Sequence, residues 1–372
     1  MAAPFLEQDG DFCLDSESRS LLKGDLCLGI PADHKSKPRR LTGTMNAQTS
    51  SPDETTAASV FRLHFPDPIS SVTRFPTGLC HYVYEIRTAT GQAYVVRIAS
   101  AATRQDLVGG LYWHPRLKAI GVPVPALYAS SLGDPYPYML IERLPGSDLG
   151  QVYAGLSASA KRVLARRMAE VQKMVGSLPM SRMFGFAHSY EQANATGKRS
   201  WAEVVATNIA RSEERIRRVG RIAPCYVETT RTVVSEYEPY LQHVEPVPFL
   251  DDTTTKNVIV DQGALSGIVD TDGVCFGDPV FTLGLTNMAL LAQGADTDYV
   301  EYWLDAIDAS RLQREMVVVY SLVFCFNFLG ELGQTFNRRV EFSDARAEAY
   351  CRIFERLFNT LTTVDRQNPG RH

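Results

Sequence analysis

The sequence lacks a marked excess of charge of either sign. Its 372 residues include 38 Lys and Arg against 42 Asp and Glu, so the net charge is −4 and the pI is about 6.0. Proteins that bind nucleic acid or anionic membranes through electrostatics usually carry a clear basic surplus. We therefore expect no nucleic-acid partner and no membrane partner, and a small-molecule partner remains.

Cysteine pairs, an export signal and a membrane-length apolar run are also missing. The seven Cys residues never form C-x-x-C, which argues against a zinc site or a disulfide framework. Four acidic side chains stand in the first fifteen residues, where a secretory signal needs a basic start and an apolar stretch. The longest apolar run, 316–329, is shorter than the roughly 20 residues that span a bilayer. A cytoplasmic location is the resulting prediction.

Three patterns divide the chain. Residues 1–58 have few large apolar side chains in their second half, which predicts a disordered or weakly ordered leader. Residues 59–144 contain short apolar strands between tight turns, and residues 145–372 show mainly helical spacing. This predicts an α+β protein with two lobes, a small N-terminal antiparallel sheet lobe and a larger helical C-terminal lobe.

The expected elements follow from the spacing of apolar residues and from the turn residues between them. Strands are predicted at 72–75, 82–87, 94–98, 126–130 and 138–143, and a hairpin at 257–260 and 265–269. Helices are predicted at 105–119, 201–218, 229–241, 281–291, 298–309, 311–329 and 343–361, and an earlier one begins after the N-cap Ser157.

Oxygen-bearing side chains are densest between Asp251 and Asp278. Asp252 and Asn257 bracket a short loop that leads into the first strand of the hairpin, and the second strand ends at Asp270. All three side chains should therefore meet at one end of the hairpin. Carboxylate and amide oxygens suit Mg²⁺, which usually takes one or two carboxylates together with phosphate oxygens. The hypothesis that follows is a site for nucleotide phosphates and magnesium.

The stretch Asp252-Thr-Thr-Thr-Lys-Asn257, followed by Val269-Asp270, resembles the catalytic loop and metal-binding Asp of the aminoglycoside phosphotransferase and choline kinase family. The five-residue step from Asp to Asn matches the kinase catalytic loop. The resemblance covers about residues 65–330 and implies a bilobal protein-kinase-like fold. It also implies transfer of the γ-phosphate of ATP to a hydroxyl of a small molecule, an aminoglycoside or another hydroxylated metabolite.

The resemblance implies a role for each catalytic side chain. Asp252 would accept the proton of the attacking hydroxyl, and Asn257 and Asp270 would hold Mg²⁺. Arg97 stands where the family has a Lys and would neutralise the α and β phosphates, a task that its planar guanidinium suits. Asp251, beside Asp252, is the second candidate for the base.

Three further positions are implied to bind the nucleotide. Gly78 lies in the turn over the phosphates. The segment 139–146 resembles the hinge of the family, in which Glu142 and Leu144 would bind adenine through a main-chain carbonyl and N–H.

The sequence departs from the family pattern in two places. Gly109 or Gly110 occupies the position of the helix Glu that would pair with Arg97, and Asp106 lies about one turn away. Leu250-Asp251 replaces the usual His-Gly before the catalytic Asp. Asp272 follows the metal-binding Asp at a distance of two residues and is either a second metal ligand or a solvated turn residue.

Two other functions fit part of the pattern. A catalytically weak, kinase-like nucleotide-binding protein would explain the missing helix Glu. Asp270 and Asp272 also resemble the D-x-D-G signature of haloacid dehalogenase-like phosphatases, but that family needs a downstream Lys, and no Lys follows Lys256. The nature of the acceptor stays open, including whether it is cationic. A row of acidic residues at helical spacing is either a solvated face or a surface for a cation: Asp298, Glu301, Asp305 and Asp308.

Overall fold

The structure is a computed structural model, and it describes residues 51–75, 81–100, 103–133, 135–335 and 340–366. Residues 364–366 are described without their side chains. Strands predominate in its first part and helices in the rest. The predicted α+β class is confirmed.

A five-stranded antiparallel sheet forms the N-terminal lobe. Its strands are β1 Ile69–Arg74, β2 Tyr82–Thr88, β3 Ala93–Ile98, β4 Leu127–Ser131 and β5 Tyr138–Glu142, and these bounds agree with the predicted ones within a few residues. The spatial order is β1-β2-β3-β5-β4. Strand β2 alternates between buried and more exposed side chains, whereas β3 is buried from Tyr94 to Ile98.

The predicted leader is wrong at its C-terminal end. Residues 54–58 belong to helix α1 (Glu54–Arg62), which begins at the N-cap Asp53. The Asp53 side chain accepts a hydrogen bond from the Thr56 N–H, and the Thr56 hydroxyl completes a capping box. Ala57 and Phe61 are fully buried in the sheet's core. The sequence did not indicate this helix because its apolar residues lie on both sides of the predicted boundary at 58/59, so neither segment alone shows the helical period.

Helix α2 (Arg104–Ala119) follows β3 and joins the two lobes. It continues through Gly109, Gly110 and Pro115 although these residues disfavour helix. Tertiary packing compensates, since Trp113 and Leu117 are fully buried and the Trp113 indole N–H donates to the Ala187 carbonyl at 2.8 Å. The helix is thereby attached to the C-terminal lobe.

Helices dominate the C-terminal lobe, which also has two three-stranded sheets. In spatial order, one consists of Ala264–Ile268, Val258–Asp261 and Ser147–Asp148, and the other of Gly185–Ala187, Val274–Gly277 and Val247–Phe249. The N-cap at Ser157 is confirmed, because its hydroxyl accepts from the Ala160 N–H. The helices are α3 Leu149–Val152, α4 Ala158–Val175, α5 Tyr190–Thr196, α6 Trp201–Val219, α7 Cys225–Glu236, α8 Glu238–Gln242, α9 Phe281–Ala292, α10 Asp298–Ala306, α11 Arg311–Glu331 and α12 Asp344–Arg366, and Tyr153–Gly155 is a 3₁₀ turn. The strands are β6 Ser147–Asp148, β7 Gly185–Ala187, β8 Val247–Phe249, β9 Val258–Asp261, β10 Ala264–Ile268 and β11 Val274–Gly277.

The single helix predicted at 229–241 is wrong in two respects. The observed helical segment begins earlier, at Cys225, and it is divided at Tyr237 into α7 and α8. Pro239, near the start of α8, has no N–H to continue the hydrogen-bond ladder of α7, so the helix axis breaks just before it.

The long apolar run forms the central helix of the C-terminal lobe. Helix α11 is long and apolar enough to cross a membrane by length and composition, but 78% of its most apolar window is buried inside the protein. It packs against α6, α9 and α12. The Phe324 and Phe281 rings lie 4.5 Å apart between centroids, within the core that supports the loop after β8.

Candidate active site

The loop between β8 and β9 carries the predicted catalytic residues and is held from below by α4. The buried Gln172 side chain forms two hydrogen bonds with the main chain of Leu250, donating to its carbonyl at 2.8 Å and accepting from its N–H at 3.0 Å. Thr253 and Thr282 hydroxyls lie 2.9 Å apart. The segment that follows is therefore fixed in place before any ligand binds.

Asp252 and Asn257 are linked within this loop. The Asn257 side-chain N–H₂ donates to the main-chain carbonyl of Asp252 at 3.0 Å, and the Thr254 hydroxyl donates to Asp252 Oδ1 at 2.9 Å. Because its nitrogen is committed to that carbonyl, Asn257 offers Oδ1 as the atom that could bind a cation.

Asp270 lies next to this pair at the end of β10. The Val269 N–H donates to the Asn257 carbonyl at 2.9 Å, which brings the residue after it close to the catalytic loop. Asp270 has a φ of 63°, a left-handed conformation that costs on the order of 1–2 kcal/mol for a residue with a side chain. The main chain thus brings together Asp252, Asn257 and Asp270 as the sequence predicts.

The Arg97 side chain extends from β3 to the same place. Its Nη1 donates to Asp272 Oδ1 at 2.9 Å, and its Nη2 lies 2.8 Å from Asp272 Oδ2, 2.8 Å from Asp270 Oδ1 and 3.0 Å from His81 Nδ1. The expectation that Asp272 is a solvated turn residue is wrong, because its side chain has no exposed surface and is paired with the guanidinium.

His81 is a neighbour of Arg97 that the sequence did not indicate. Burial lowers the pKa of His81, and the positive charge of Arg97 lowers it further. An arginine only donates, so His81 Nδ1 accepts from Arg97 and its Nε2 carries the proton toward the Thr103 carbonyl, 3.5 Å away. A neutral imidazole therefore orients the guanidinium without repelling it.

The predicted phosphate turn with Gly78 lies outside the described residues. A cavity of about 20 Å³ beside Arg97 is lined in part by Gly110, His114 and Met139. A cavity of this size fits a water molecule and has no room for a nucleotide.

The predicted hinge connects β5 with the C-terminal lobe. Glu142 is tied to the end of the preceding connection, since its Oε2 accepts from the Ala126 N–H at 2.9 Å. Leu144 is buried and packs against Gly267 of β10. Arg143 forms an ion pair with Glu85 at 2.8 Å. These contacts fix the main chain at Glu142 and Leu144; the adenine contacts themselves remain a prediction.

Of the predicted acidic row, Asp298, Glu301 and Asp305 lie on α10, whereas Asp308 lies beyond the end of the helix at Ala306 and has a φ of 50°. The next helix partly neutralises this row. Arg314 of α11 donates to Asp305 at 2.7 Å and to Glu301 at 3.2 Å. No basic residue lies within the row, and the counter-charge comes from a different element. This favours the interpretation of a solvated, ion-paired face over that of a surface for a cationic substrate.

The oxygen ligands fit a magnesium ion in one arrangement. Asp270 offers a carboxylate with a side chain that is 22% exposed, and Asn257 offers its amide oxygen. Among the described residues, one group of three ligand side chains, His81, Asp270 and Asp272, lies within 4.8 Å. The Arg97 guanidinium already lies against all three, and both Asp272 oxygens accept from it. Asp272 is thereby committed to Arg97, and a role for Asn257 with Asp270 as the pair that could hold Mg²⁺ stays a prediction.

A sheet lobe, a helical lobe and a polar loop at their junction define a bilobal protein of the kinase-like class. The chain belongs to the phosphotransferase enzyme family, whose model matches residues 71–315. The predicted family and the predicted kinase-like fold are thereby confirmed. No curated protein matches the sequence.

Solved aminoglycoside phosphotransferases have the same fold. APH(4)-Ia, as a mutant in complex with ADP and hygromycin B, has a TM-score of 0.56 at 14% identity, over 85% of this chain and 99% of that chain. ADP-bound APH(2'')-Ib has a TM-score of 0.58 at 13% identity, over 83% and 99%. A mutant of aminoglycoside 2'-phosphotransferase IIIa with GDP has a TM-score of 0.57 at 17% identity, over 84% and 98%. At these identities the likeness shows the fold alone.

Proposed function

We propose that this phosphotransferase moves the γ-phosphate of ATP to a hydroxyl of a small molecule, with Mg²⁺ as the metal. One observation supports this most directly. The Asn257 side-chain amide donates to the main-chain carbonyl of Asp252, and the Val269 N–H donates to the main-chain carbonyl of Asn257. These hydrogen bonds hold the proposed base close to the two proposed metal ligands. Phosphoryl transfer needs little covalent chemistry from a protein and depends on such positioning.

Asp252 is the base in this proposal. It accepts the proton of the acceptor hydroxyl while its Oδ1 is oriented by the Thr254 hydroxyl. Asp251 has a different environment. Burial raises the pKa of the Cys275 thiol, and the negative charge of Asp251 raises it further, so Asp251 lies close to the buried strand β11. This proximity to the core favours Asp252 over Asp251.

The nucleotide is held by the remaining predicted residues. Asn257 and Asp270 hold Mg²⁺, which supplies charge compensation on the phosphate oxygens. Arg97 neutralises the α and β phosphates, and the turn with Gly78 covers them. Glu142 and Leu144 bind adenine through their main chain. The solved relatives with ADP or GDP in their names support a nucleotide in this cleft.

The acceptor is proposed to be a hydroxylated metabolite or an aminoglycoside-like compound. The structures of similar proteins include complexes with hygromycin B and with streptomycin, which supports a small molecule as the acceptor. The acidic row on α10 adds no support for a cationic acceptor, because Arg314 pairs with two of its members. We also propose a reducing, cytoplasmic location, in line with the four described cysteines, all of which are free thiols.

The two alternative functions differ in how they fit this geometry. A phosphatase mechanism requires Asp270 as a nucleophile and Asp272 as an acid, but both oxygens of Asp272 accept hydrogen bonds from Arg97. This makes it a poor proton donor. A nucleotide-binding protein without turnover uses the same cleft, and only an assay separates it from an enzyme.

That assay is ADP release from ATP and Mg²⁺ across a panel of hydroxylated compounds, including aminoglycosides and sugars. We expect release that depends on one class of acceptor and falls at least a hundredfold in Asp252→Asn. Asp261→Asn, at the tip of the same hairpin, is the matched control and should retain activity. Nucleotide binding without turnover on any acceptor would support the binding protein instead.

A further inference from the structure

Helix α2 approaches the site with two glycines where an acidic side chain would be expected. A Cβ atom on Gly110 would lie 2.8 Å from Asp272 Oδ1 and 3.3 Å from Met139 Sδ. A Cβ atom on Gly109 would lie 2.1 Å from the Asp272 carbonyl and 2.2 Å from His188 Nδ1. Neither position has room for a side chain, and the carboxylate of Asp272 occupies the space in front of Gly110.

Asp272 is built into this position from several sides. Its side chain is fully buried, and both oxygens accept from the two terminal nitrogens of Arg97, a bidentate pair. Its main-chain carbonyl lies 3.1 Å from His188 Nδ1, and His188 Nε2 lies 3.5 Å from Asp106 Oδ1. Asp106, about one turn from the position of the missing acid, thus lies against His188, which supports the main chain of Asp272.

The contacts of Arg97 Nη2 show which partner is exchangeable. This nitrogen has two N–H bonds and lies within 3.0 Å of three acceptors, on Asp270, Asp272 and His81. One acceptor is therefore in excess. If Asp270 is given up to a cation, Asp272 and His81 still hold the guanidinium at both ends, whereas loss of Asp272 removes the bidentate contact.

We propose that Asp272 is the positioning residue that holds Arg97 toward the nucleotide phosphates, in the place of an acid on helix α2. This arrangement requires glycine at positions 109 and 110, because a side chain at Gly109 or Gly110 would collide with Asp272. Asp270 would then be the partner of Arg97 that could instead hold Mg²⁺ together with Asn257. The inference rests on the proposed function, because it needs a nucleotide at Arg97.

A charge swap between α2 and the loop tests this assignment. The Cβ–Oδ distance of an aspartate is about 2.4 Å from ordinary bond lengths, close to the 2.8 Å between the Cβ position on Gly110 and Asp272 Oδ1. In Gly110→Asp/Asp272→Gly, the new carboxylate therefore has one oxygen near its original place. The net charge is unchanged, and the space that the new side chain needs is vacated by the old one.

Four proteins are compared by Mg·ADP affinity in calorimetry and by KM for ATP and kcat: the wild type, Asp272→Gly, the swap variant and Asp261→Asn. We expect Asp272→Gly to weaken Mg·ADP binding and raise KM for ATP at least tenfold, with a smaller change in kcat. The swap should recover at least a third of the lost affinity. Asp261→Asn should match the wild type.

The proposal is overturned if folded Asp272→Gly binds Mg·ADP within twofold of the wild type, or if the swap is no better than Asp272→Gly. Should Asp272→Gly fail to fold, the swap variant decides: wild-type affinity within tenfold supports the proposal, and a greater loss refutes it. A wild type that binds no nucleotide refutes the proposed function first and this inference with it, whereas a binding wild type with an unaffected Asp272→Gly refutes the inference alone.

Discussion

Replacing Gly109 by Ala tests whether α2 really lies at contact distance from the loop with Asp272. In an isolated helix this change stabilises by about 1 kcal/mol. Here the added Cβ would lie 2.1 Å from the Asp272 carbonyl oxygen and 2.2 Å from His188 Nδ1. Ordinary contacts begin near 3.4 Å, so the loop and the helix must move apart by on the order of 1 Å, and overpacking of this kind costs about 1–3 kcal/mol or more. The propensity gain offsets only part of this.

The expected result for Gly109→Ala is a net loss of about 1–2 kcal/mol in the free energy of unfolding, or roughly 1–3 °C in Tm for a chain of this length. Gly110→Ala should cost less, because its Cβ would meet a side-chain oxygen at 2.8 Å and not a main-chain atom. Gln105→Ala, exposed on the same helix, is the control and should change stability by less than about 0.5 kcal/mol. Urea titration measures the free energy of unfolding of each variant, and the expected loss decreases from Gly109→Ala to Gly110→Ala to Gln105→Ala. If Gly109→Ala is as stable as the wild type or more stable, the described approach of α2 to Asp272 is refuted.

Three other changes have defined outcomes. Arg97→Lys loses the bidentate contact with Asp272 and should raise KM for ATP, measured by steady-state kinetics; an unchanged KM would contradict the role of the planar guanidinium. Burial raises the pKa of Asp278, so its contribution to stability is complete below about pH 4 and is lost as the pH rises through the raised pKa. The free energy of unfolding of Asp278→Asn should lack this decline above about pH 4, and a decline equal to that of the wild type would contradict the assignment. Arg314→Ala removes two exposed ion pairs and should cost less than about 1 kcal/mol in thermal unfolding, a larger loss being unexpected.

The catalytic loop was predictable because its information is local. The Asp252 to Asn257 step and the hairpin that ends at Asp270 lie within a short stretch of chain, and the turn at Gln262 and Gly263 joins its strands. The alternation in β2 and the short apolar run of β3, each bounded by turn residues, likewise identified the N-terminal sheet and the place of Arg97 on it.

The support of Arg97 was not predictable, because it joins distant parts of the chain. The contact with Asp272 spans 175 residues, and His81 shows no pattern that distinguishes it from a packed histidine. The strands β7, β8 and β11 have three or four residues each and are almost wholly buried, so they lack the alternation that would mark them. Only three-dimensional proximity identifies these elements.

The effect of Mg²⁺ on ADP affinity tests the central claim most directly. Calorimetric titrations with ADP, in the presence and absence of Mg²⁺, are compared for the wild type and Asp270→Asn. If Asp270 and Asn257 gather a cation against the phosphates, Mg²⁺ should tighten ADP binding to the wild type severalfold and have little effect on the variant. An equal effect of Mg²⁺ on both proteins, or none on the wild type, would contradict the account.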